Sequence, residues 1–560
     1  MQITHNKPIN SLLTTLFVLI TVPFILQAQN RQERVTIIGT FEPSLRTVEK
    51  IFIDPAQPEP LFNNENQNFS RISGFYQPKS TTATIAVNQV RTDEKSKRYA
   101  NHLKTGIGTQ LSPLFLYRHH SKLNKNTALS LELNHRSSWL DIPDYAPSTW
   151  MKNAAVVNLE AAIGDHIWNN KLRYSHDQFH YYGFKPSEYV GFEIDKKDLQ
   201  QQHHRLNFES MLKSNYSSKG ALHHELSLEY KQIADKHQNT GQQVLLHGYA
   251  GKYFDWFGNQ TEQYARALLE VNFFNEEDSL KGNRGFQSNL NPALTFSGSF
   301  FSLKAGLLFS TVNDDSTRFN LYPQLEGSLF VFDQKLEFYA SLDGNQQLHS
   351  FYETTLVNPW LSPETSHWWS NTTKNIHAGV KIGLIPNTDF HLGVNYSETE
   401  NGGFFVTDFE PVFQNSMKII HDNYNRIRFQ GDATYHHSDK IRSYLQVFYD
   451  QYNMNSFVHA WHQPALHGKA GTILQVIDRW RFGAEIIFEG ERFAPDSESL
   501  LAKSIRLKPW ADVNLSAAYL IMPHFEVFTE INNLTGNRYE KFYRYPVQGL
   551  QLFGGISLQF

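Results

Sequence analysis

The sequence predicts an all-β fold, a transmembrane antiparallel β-barrel of about 22 strands preceded by a short extended N-terminal periplasmic segment. Three observations carry that expectation. Segments of two-residue alternation repeat along residues 103–560, their connections alternate between short and long, and tryptophans stand at segment ends, at Trp168, Trp256, Trp480 and Trp510. Side chains alternate faces along a strand, so each segment has one apolar and one polar face. The segments run to about 9 to 12 residues, the length a tilted membrane-crossing strand needs, whereas strands of soluble sandwiches cluster near 5 or 6. Backbone groups in lipid must all be paired, so an all-β chain crosses only as a closed barrel.

Composition narrows the alternatives. The chain has 560 residues, a formal charge of −4, no cysteine, and 42 Phe, 26 Tyr and 10 Trp; its mean hydropathy is −0.47. A helical membrane protein needs repeated apolar runs of about 20 residues, which so polar a chain has little room for. The aromatic content excludes a disordered chain. The missing cysteine excludes a disulfide scaffold and a thiolate-ligated metal centre. Near-neutral charge without a block of Lys or Arg argues against nucleic acid as a partner.

Taken in order, the chain opens with the apolar run Leu12 to Leu26 after Lys7, with Pro23 near its end and the small Ala28 behind it. This is the pattern of a secretory signal peptide, residues 1–28, cut after Ala28. An uncleaved anchor is disfavoured, because the run is short of a full span and broken by proline. Residues 29–102 form an extended lead-in. Val35 to Thr40 reads as a strand, Phe41 to Leu45 as the turn leaving it, Asp54 to Pro60 is irregular with three prolines, Asn63 to Asn68 is an amide-rich loop, and Thr81 to Val90 is one more extended piece.

The barrel follows over 103–560. Its start is open to two readings: Leu103–Gln110 and Leu114–Ser121 are two strands around Ser112-Pro113, or one long strand. Alternation then marks Leu129–Leu133, Ala155–Ile163, Leu222–Tyr230, Ala265–Phe273, Leu336–Leu342, Phe390–Tyr396, Trp480–Glu489 and Val513–Ile521. Short turns are expected at Phe332-Asp333-Gln334, Pro386-Asn387-Thr388, Ser438-Asp439, Asp478-Arg479 and Met522-Pro523-His524. Long loops are expected near 184–200, 346–372, 399–422, 450–464, 491–510 and 533–549. Short turns on one rim and long loops on the other are the arrangement of outer-membrane barrels, with both termini on the short-turn side.

The last strand, Gln551 to Phe560, alternates cleanly and ends on phenylalanine; Leu552, Ile556, Leu558 and Phe560 share a face and resemble the C-terminal signal read by the barrel-assembly machinery. Ahead of it stand Asn532-Asn533-Leu534-Thr535-Gly536 and Tyr545-Pro546-Val547-Gln548-Gly549. Together these resemble the closing pattern of TonB-dependent receptors. Val35 to Phe41 resembles the first strand after the signal in that superfamily. Gly106-Ile107-Gly108, Ser112-Pro113 and Asn134 to Ser138 resemble its receptor-like β-barrel subgroup. The resemblance implies a barrel in the outer membrane of a Gram-negative bacterium that binds or passes a solute. Its implied partners are outer-membrane lipid, the assembly machinery, and TonB or a surface or periplasmic protein. One feature departs from the family: only 102 − 28 = 74 residues lie between the signal and the barrel, and they are too few and too proline-rich for a full plug. Inward loops with the N-terminal segment, or a partner, then close the lumen, or the pore stays partly open. A non-transporting barrel that anchors a partner is the alternative.

No motif singles out catalytic chemistry, a cofactor or a metal. The adjacent pairs His119-His120, His203-His204, His223-His224 and His436-His437 would point to opposite faces of their strands and could not share an ion. His459, His462 and His467 fall on a loop where a site is geometrically open, with nothing to fix further ligands. Glu485 and Glu489 are ordinary for a polar barrel wall. The strongest hint lies in the long loops. Phe351, Tyr352, Trp360, Trp368 and Trp369, with Phe404, Phe405, Phe409 and Phe413, offer aromatic faces to sugar rings or apolar ligands. The favoured reading of the same residues is a small loop core over the barrel mouth, and the two are compatible.

Overall fold

A computed structural model describes residues 99–560, apart from 217, 219, 257–260, 278–281, 366, 437–439, 478 and 498–502. The expected signal peptide, the lead-in as far as residue 98, the Ser438-Asp439 turn, Asp478 and His437 therefore lie outside the described residues.

One half of the wall is β1 (Asn101–Gly108), β2 (Ser112–Lys122), β3 (Thr127–Ser138), β4 (Trp150–Ile163), β5 (His166–His180), β6 (Gln200–Ser214), β7 (His223–Asp235), β8 (Thr240–Phe254), β9 (Glu262–Glu277), β10 (Gly282–Ser297) and β11 (Phe301–Asn313). The other half begins with β12 (Thr317–Val331), β13 (Leu336–His349), β14 (Trp368–Ile385), β15 (Thr388–Asp408), β16 (Ser416–His436), β17 (Ile441–Met454), β18 (Leu466–Ile477) and β19 (Trp480–Glu489). A loop hairpin, β20 (Arg492–Pro495) with β21 (Ser504–Leu507), precedes β22 (Trp510–Met522) and β23 (Phe525–Asn532). A second, β24 (Glu540–Phe542) with β25 (Tyr545–Pro546), precedes the last strand, β26 (Gln551–Gln559). Among the described residues, 22 strands join one sheet, and β1 pairs antiparallel with both β2 and β26, which closes the ring.

The closed ring satisfies every wall strand on both edges, which an open sheet in lipid could not do. The two faces carry the expected chemistry. On β12, Phe319, Leu321, Leu325 and Leu329 are exposed on the outside, whereas Tyr322 and Ser328, on the other face, are buried. On β22 the buried inner face is Asp512, Asn514, Ser516 and Ala518. Wall side chains alone fill small barrels, but not a ring of 22 strands.

The seam between β1 and β26 depends on close backbone approach. Gly106 faces Gly555 across it, and a Cβ at Gly555 would stand 2.2 Å from the Thr105 carbonyl oxygen. That neighbour is backbone and cannot swing aside. The variant Gly555→Val is expected to reduce the fraction of chain that runs as the compact, unheated form on a denaturing gel. Recovery of that form at the unaltered level would contradict this account of the seam.

The long loops, 139–149, 181–199, 350–367, 455–465, 490–509 and 533–550, all lie on one rim, which also carries the short connections 109–111, 236–239 and 314–316, and β1 begins and β26 ends on the opposite rim. Three expectations need correction. The first turn is Thr109–Leu111, with Gln110 and Leu111 at φ 65° and 48°; Ser112 and Pro113 belong to β2 and pair with Gly108 and Ile107. Wall strands range from 8 residues in β1 and β23 to 21 in β15 and β16, wider than the expected 9 to 12. The loop expected over 399–422 is mostly strand, because after a register shift at Thr399/Gly402 the β15–β16 ladder resumes from Gly402↔Asp422 to Asp408↔Ser416. Phe404, Phe405, Val406 and Thr407 are all buried there. With both faces covered by protein, alternation fades and the segment no longer reads as a strand.

Candidate functional site at the barrel mouth

The long-loop rim carries the residues that the wall alone does not explain. The β3–β4 loop, 139–149, is locked locally: the Asp141 carboxylate accepts from the backbone N–H groups of Ser148 at 2.6 Å and Thr149 at 3.1 Å, and Ser148 Oγ accepts from Ile142 N–H at 2.7 Å. The β5–β6 loop, 181–199, opens with Tyr181-Tyr182-Gly183-Phe184. These aromatics pack with Ile142, Trp360, Leu361, Phe405, Met417, Phe542 and Tyr545 in one buried cluster.

That cluster joins opposite walls. β14 and β15 lie nine and ten strands on from β5, close to the eleven (22 ÷ 2) that separate facing strands. Yet Tyr181 Oη donates to the Leu361 carbonyl at 2.7 Å, Trp360 Nε1 to the His180 carbonyl at 3.1 Å, and Asn415 Nδ2 to the Tyr181 carbonyl at 2.9 Å. The β23–β26 loop adds Tyr545, stacked on Trp360 at 4.2 Å, and the Pro546 carbonyl, which accepts from Tyr182 Oη at 2.8 Å. Tyr545 Oη in turn donates to the Asn415 carbonyl. Buried polar tips with named partners and apolar ring bodies make a rigid assembly.

Below this cap the β13–β14 loop folds as the short helix α1 (Phe351–Val357), capped by Ser350, whose side chain accepts from Glu353 N–H. The helix is bonded to wall strands that are not its neighbours in the ring. Phe351 N–H donates to Glu276 Oε1 on β9 at 2.8 Å, Arg205 on β6 donates to Thr355 Oγ1 at 3.0 Å, and Lys231 on β7 pairs with Glu353 at 3.1 Å.

Two residues staple further loops to the cap. Arg492, buried, donates to the carbonyls of Glu540 and Lys541 at 2.7 and 2.5 Å and pairs with Glu489 at 3.3 Å. His462, also buried, donates from Nδ1 to the Phe405 carbonyl at 2.8 Å and accepts at Nε2 from Tyr543 N–H at 3.2 Å. Burial, opposed in part by the Phe405 carbonyl, pushes the His462 imidazole down to about 3. The neutral ring fits because Nε2 must accept.

A pH dependence follows from that imidazole. Its folded pKa lies below its unfolded value of about 6.5, so the unfolded loop binds more protons between those limits. The stabilisation is fully present above pH 6.5 and declines as pH falls towards 3, by up to about 1.4 kcal/mol per pH unit. Protease nicking of the cap loops should therefore increase between pH 7.5 and 4.5, and the variant His462→Gln should flatten that increase. Nicking independent of pH in the unaltered chain would remove His462 from this role.

The aromatics singled out in the sequence are not gathered in one place. Phe351 and Tyr352 lie on α1, with Phe351 buried against His203. Trp360 lies in the cap core. Trp368 and Trp369 begin β14, Trp368 stacked on His349 at 4.5 Å and Trp369 buried with Phe274, Val312 and Leu348. His459, His462 and His467 also stay apart, with His459 stacked on Phe493 and His467 on Phe448. His203 is buried while its neighbour His204 is exposed, as strand geometry requires. Leu552 and Ile556 lie exposed on the outer face of the last strand, and Phe560, just beyond its end, is exposed too. Sequence reasoning passed over Tyr181, Tyr182, Phe184 and Phe542 and marked Tyr545 only within the closing pattern; the aromatic runs 181–184 and 542–545 were the signal that could have found this core.

No protein-family description and no curated protein matches the chain. Solved structures do. The FrpB iron transporter from Neisseria meningitidis is 9% identical with a TM-score of 0.62, over 83% of this chain and 82% of that one. The ferric-catecholate import receptor Fiu from E. coli K12 is 7% identical with a TM-score of 0.62, over 83% and 82%. The pyoverdine outer-membrane receptor FpvA from Pseudomonas aeruginosa PAO1, solved bound to pyoverdine, is 11% identical with a TM-score of 0.63, over 83% and 79%. These are TonB-dependent receptors, and the barrel of this chain has their fold.

Proposed function

We propose, from a barrel fold shared with TonB-dependent receptors, that this chain is a receptor or transporter of the outer membrane that binds a solute at the cell surface or passes it inward. The observation that carries the reading is the cap, in which loops from facing walls meet over a polar lumen of a ring too wide for wall side chains to fill. Such a mouth can hold a ligand and restrict its passage. The exposed apolar outer face suits outer-membrane lipid, and the last strand suits recognition by the assembly machinery. TonB, or another periplasmic or surface partner, would supply whatever drives or completes transport.

The extent of cross-bridging in the cap also favours a second reading, a non-transporting barrel that anchors a partner. Planar-bilayer recordings on the purified chain, with and without residues 29–102, separate the two. Conductance, or its appearance on that deletion, supports solute passage. A barrel silent in both forms that co-purifies with another protein supports anchoring and sinks transport.

A further inference from the structure

Towards the rim opposite the cap, side chains of four neighbouring wall strands are joined through one phenol. Tyr339 stands on β13, His377 on β14, His391 on β15 and Asp432 on β16. The sequence neighbours Phe338, Ile376 and Leu392 are exposed on the outer face, so period-two alternation turns Tyr339, His377 and His391 to the lumen. Asp432 is the direct partner of His391 and shares its face. In the row of Tyr339 the next two strands carry Gly379 and Gly393. A Cβ there would stand 2.5 and 3.0 Å from Tyr339 Oη, so the two glycines leave the phenol room to reach across β14.

The imidazole nitrogens converge on the phenol oxygen. Tyr339 Oη is 3.0 Å from His377 Nε2 and 2.6 Å from His391 Nε2. At the far side of its ring, His391 Nδ1 donates to Asp432 Oδ2 at 3.0 Å, the shorter of its two contacts, with Gln430 Nε2 at 3.4 Å. A carboxylate only accepts, so this bond keeps the proton on Nδ1 and leaves the Nε2 lone pair facing the phenol. A carboxylate behind an imidazole is also what orients a metal-ligating histidine. Lys381 Nζ, 5.1 Å from the centre of the Tyr339 ring, is paired with Glu337 at 3.2 Å, so the cation beside the cluster is balanced. Among the described residues no three His, Cys, Asp or Glu side chains are grouped to hold an ion; here the third donor is a phenol.

We propose that Tyr339 Oη, His377 Nε2 and His391 Nε2 form a lumen-facing site for a divalent transition-metal ion, with Asp432 as a positioning residue. Two bonds of about 2.0 Å at a right angle set their donor atoms about 2.8 Å apart, and the contacts of 3.0 and 2.6 Å lie on either side of that spacing. Nitrogen and oxygen donors of this kind suit Cu(II), which also binds them most tightly among first-row divalent ions. The ion takes the place of the phenol proton, which leaves to solvent, and His377 carries its own proton on Nδ1. Water completes the coordination from the lumen. The site does not depend on whether the barrel passes a solute.

Visible absorption of the full chain in detergent, titrated with Cu(II) from a glycine buffer that sets the free ion, tests the assignment. A phenolate-to-copper charge-transfer band that saturates at one ion per chain is expected. Tyr339→Phe should abolish the band, whereas copper held by other histidines contributes none. Asp432→Asn should keep the band and raise the free Cu(II) at half-saturation about 10- to 100-fold, a shift that a purely structural role would not produce. Gel mobility of the unheated protein checks that both variants fold. Absence of the band, or a band that survives Tyr339→Phe, overturns the site. Half-saturation unchanged in Asp432→Asn overturns the positioning role.

Discussion

Replacing Trp360 with alanine is expected to loosen the barrel mouth while leaving the wall folded. Trp360 is 4% exposed. It stacks on Tyr545, meets Tyr182 edge-on at 5.6 Å, and donates from Nε1 to the His180 carbonyl. It thereby joins the β13–β14 loop to the β5–β6 and β23–β26 loops. Truncating a buried tryptophan costs about 3 to 5 kcal/mol through lost burial and the cavity left behind, and the freed His180 carbonyl adds a desolvation cost. The named contacts are not wall-ladder bonds. The expected outcome is faster proteolysis of the cap loops and larger current in planar bilayers, with unheated gel mobility unchanged. If the variant destabilises wall and cap equally, the cap is not a separate unit.

Replacing Arg428 with methionine should act on the wall instead. Arg428 and Asp450 are direct partners across β16 and β17, and their bidentate contact is close, at 2.6 and 2.7 Å. Both residues are buried. Removing the guanidinium takes away the bidentate partner of a buried carboxylate and leaves it only the charge of Arg426, which costs up to about 3 to 5 kcal/mol. His467 Nδ1 lies 3.8 Å from Asp450, so protonation of that ring would recover part of the loss at low pH. The double replacement Arg428→Met with Asp450→Leu should restore most of the stability, because two apolar groups of similar volume remove the unpaired charge. The temperature at which the compact gel form disappears is the readout. A double variant as unstable as the single one would show that packing, and not charge, dominates this site.

The wall was legible in the sequence because two media act on it. Lipid outside and polar lumen inside impose period-two alternation, and Trp480–Glu489 was read to the residue for that reason. Loop positions followed from where alternation stops. The β15–β16 tip defeated the same rule, because protein covers both of its faces there. The cap was not legible. Its bonds join residues far apart in sequence, such as Tyr181 with Leu361, and no local pattern encodes such a pairing. The sequence marked aromatics for a loop core over the mouth, and Trp360 does lie in that core. It could not show that Tyr181, Tyr182 and Tyr545 are what Trp360 meets.

The chain has no cysteine, which makes single-site labelling in intact cells the most direct test of a surface-facing cap. Ala146 is wholly buried in the cap core and Val458 is 59% exposed on the same rim. Treated with a membrane-impermeant maleimide from outside, Val458→Cys should label at once. Ala146→Cys should stay protected, and become reactive only when Trp360→Ala is added. Labelling of Ala146→Cys as fast as Val458→Cys in the otherwise unaltered chain, or no labelling of Val458→Cys, would contradict a closed cap on the cell surface.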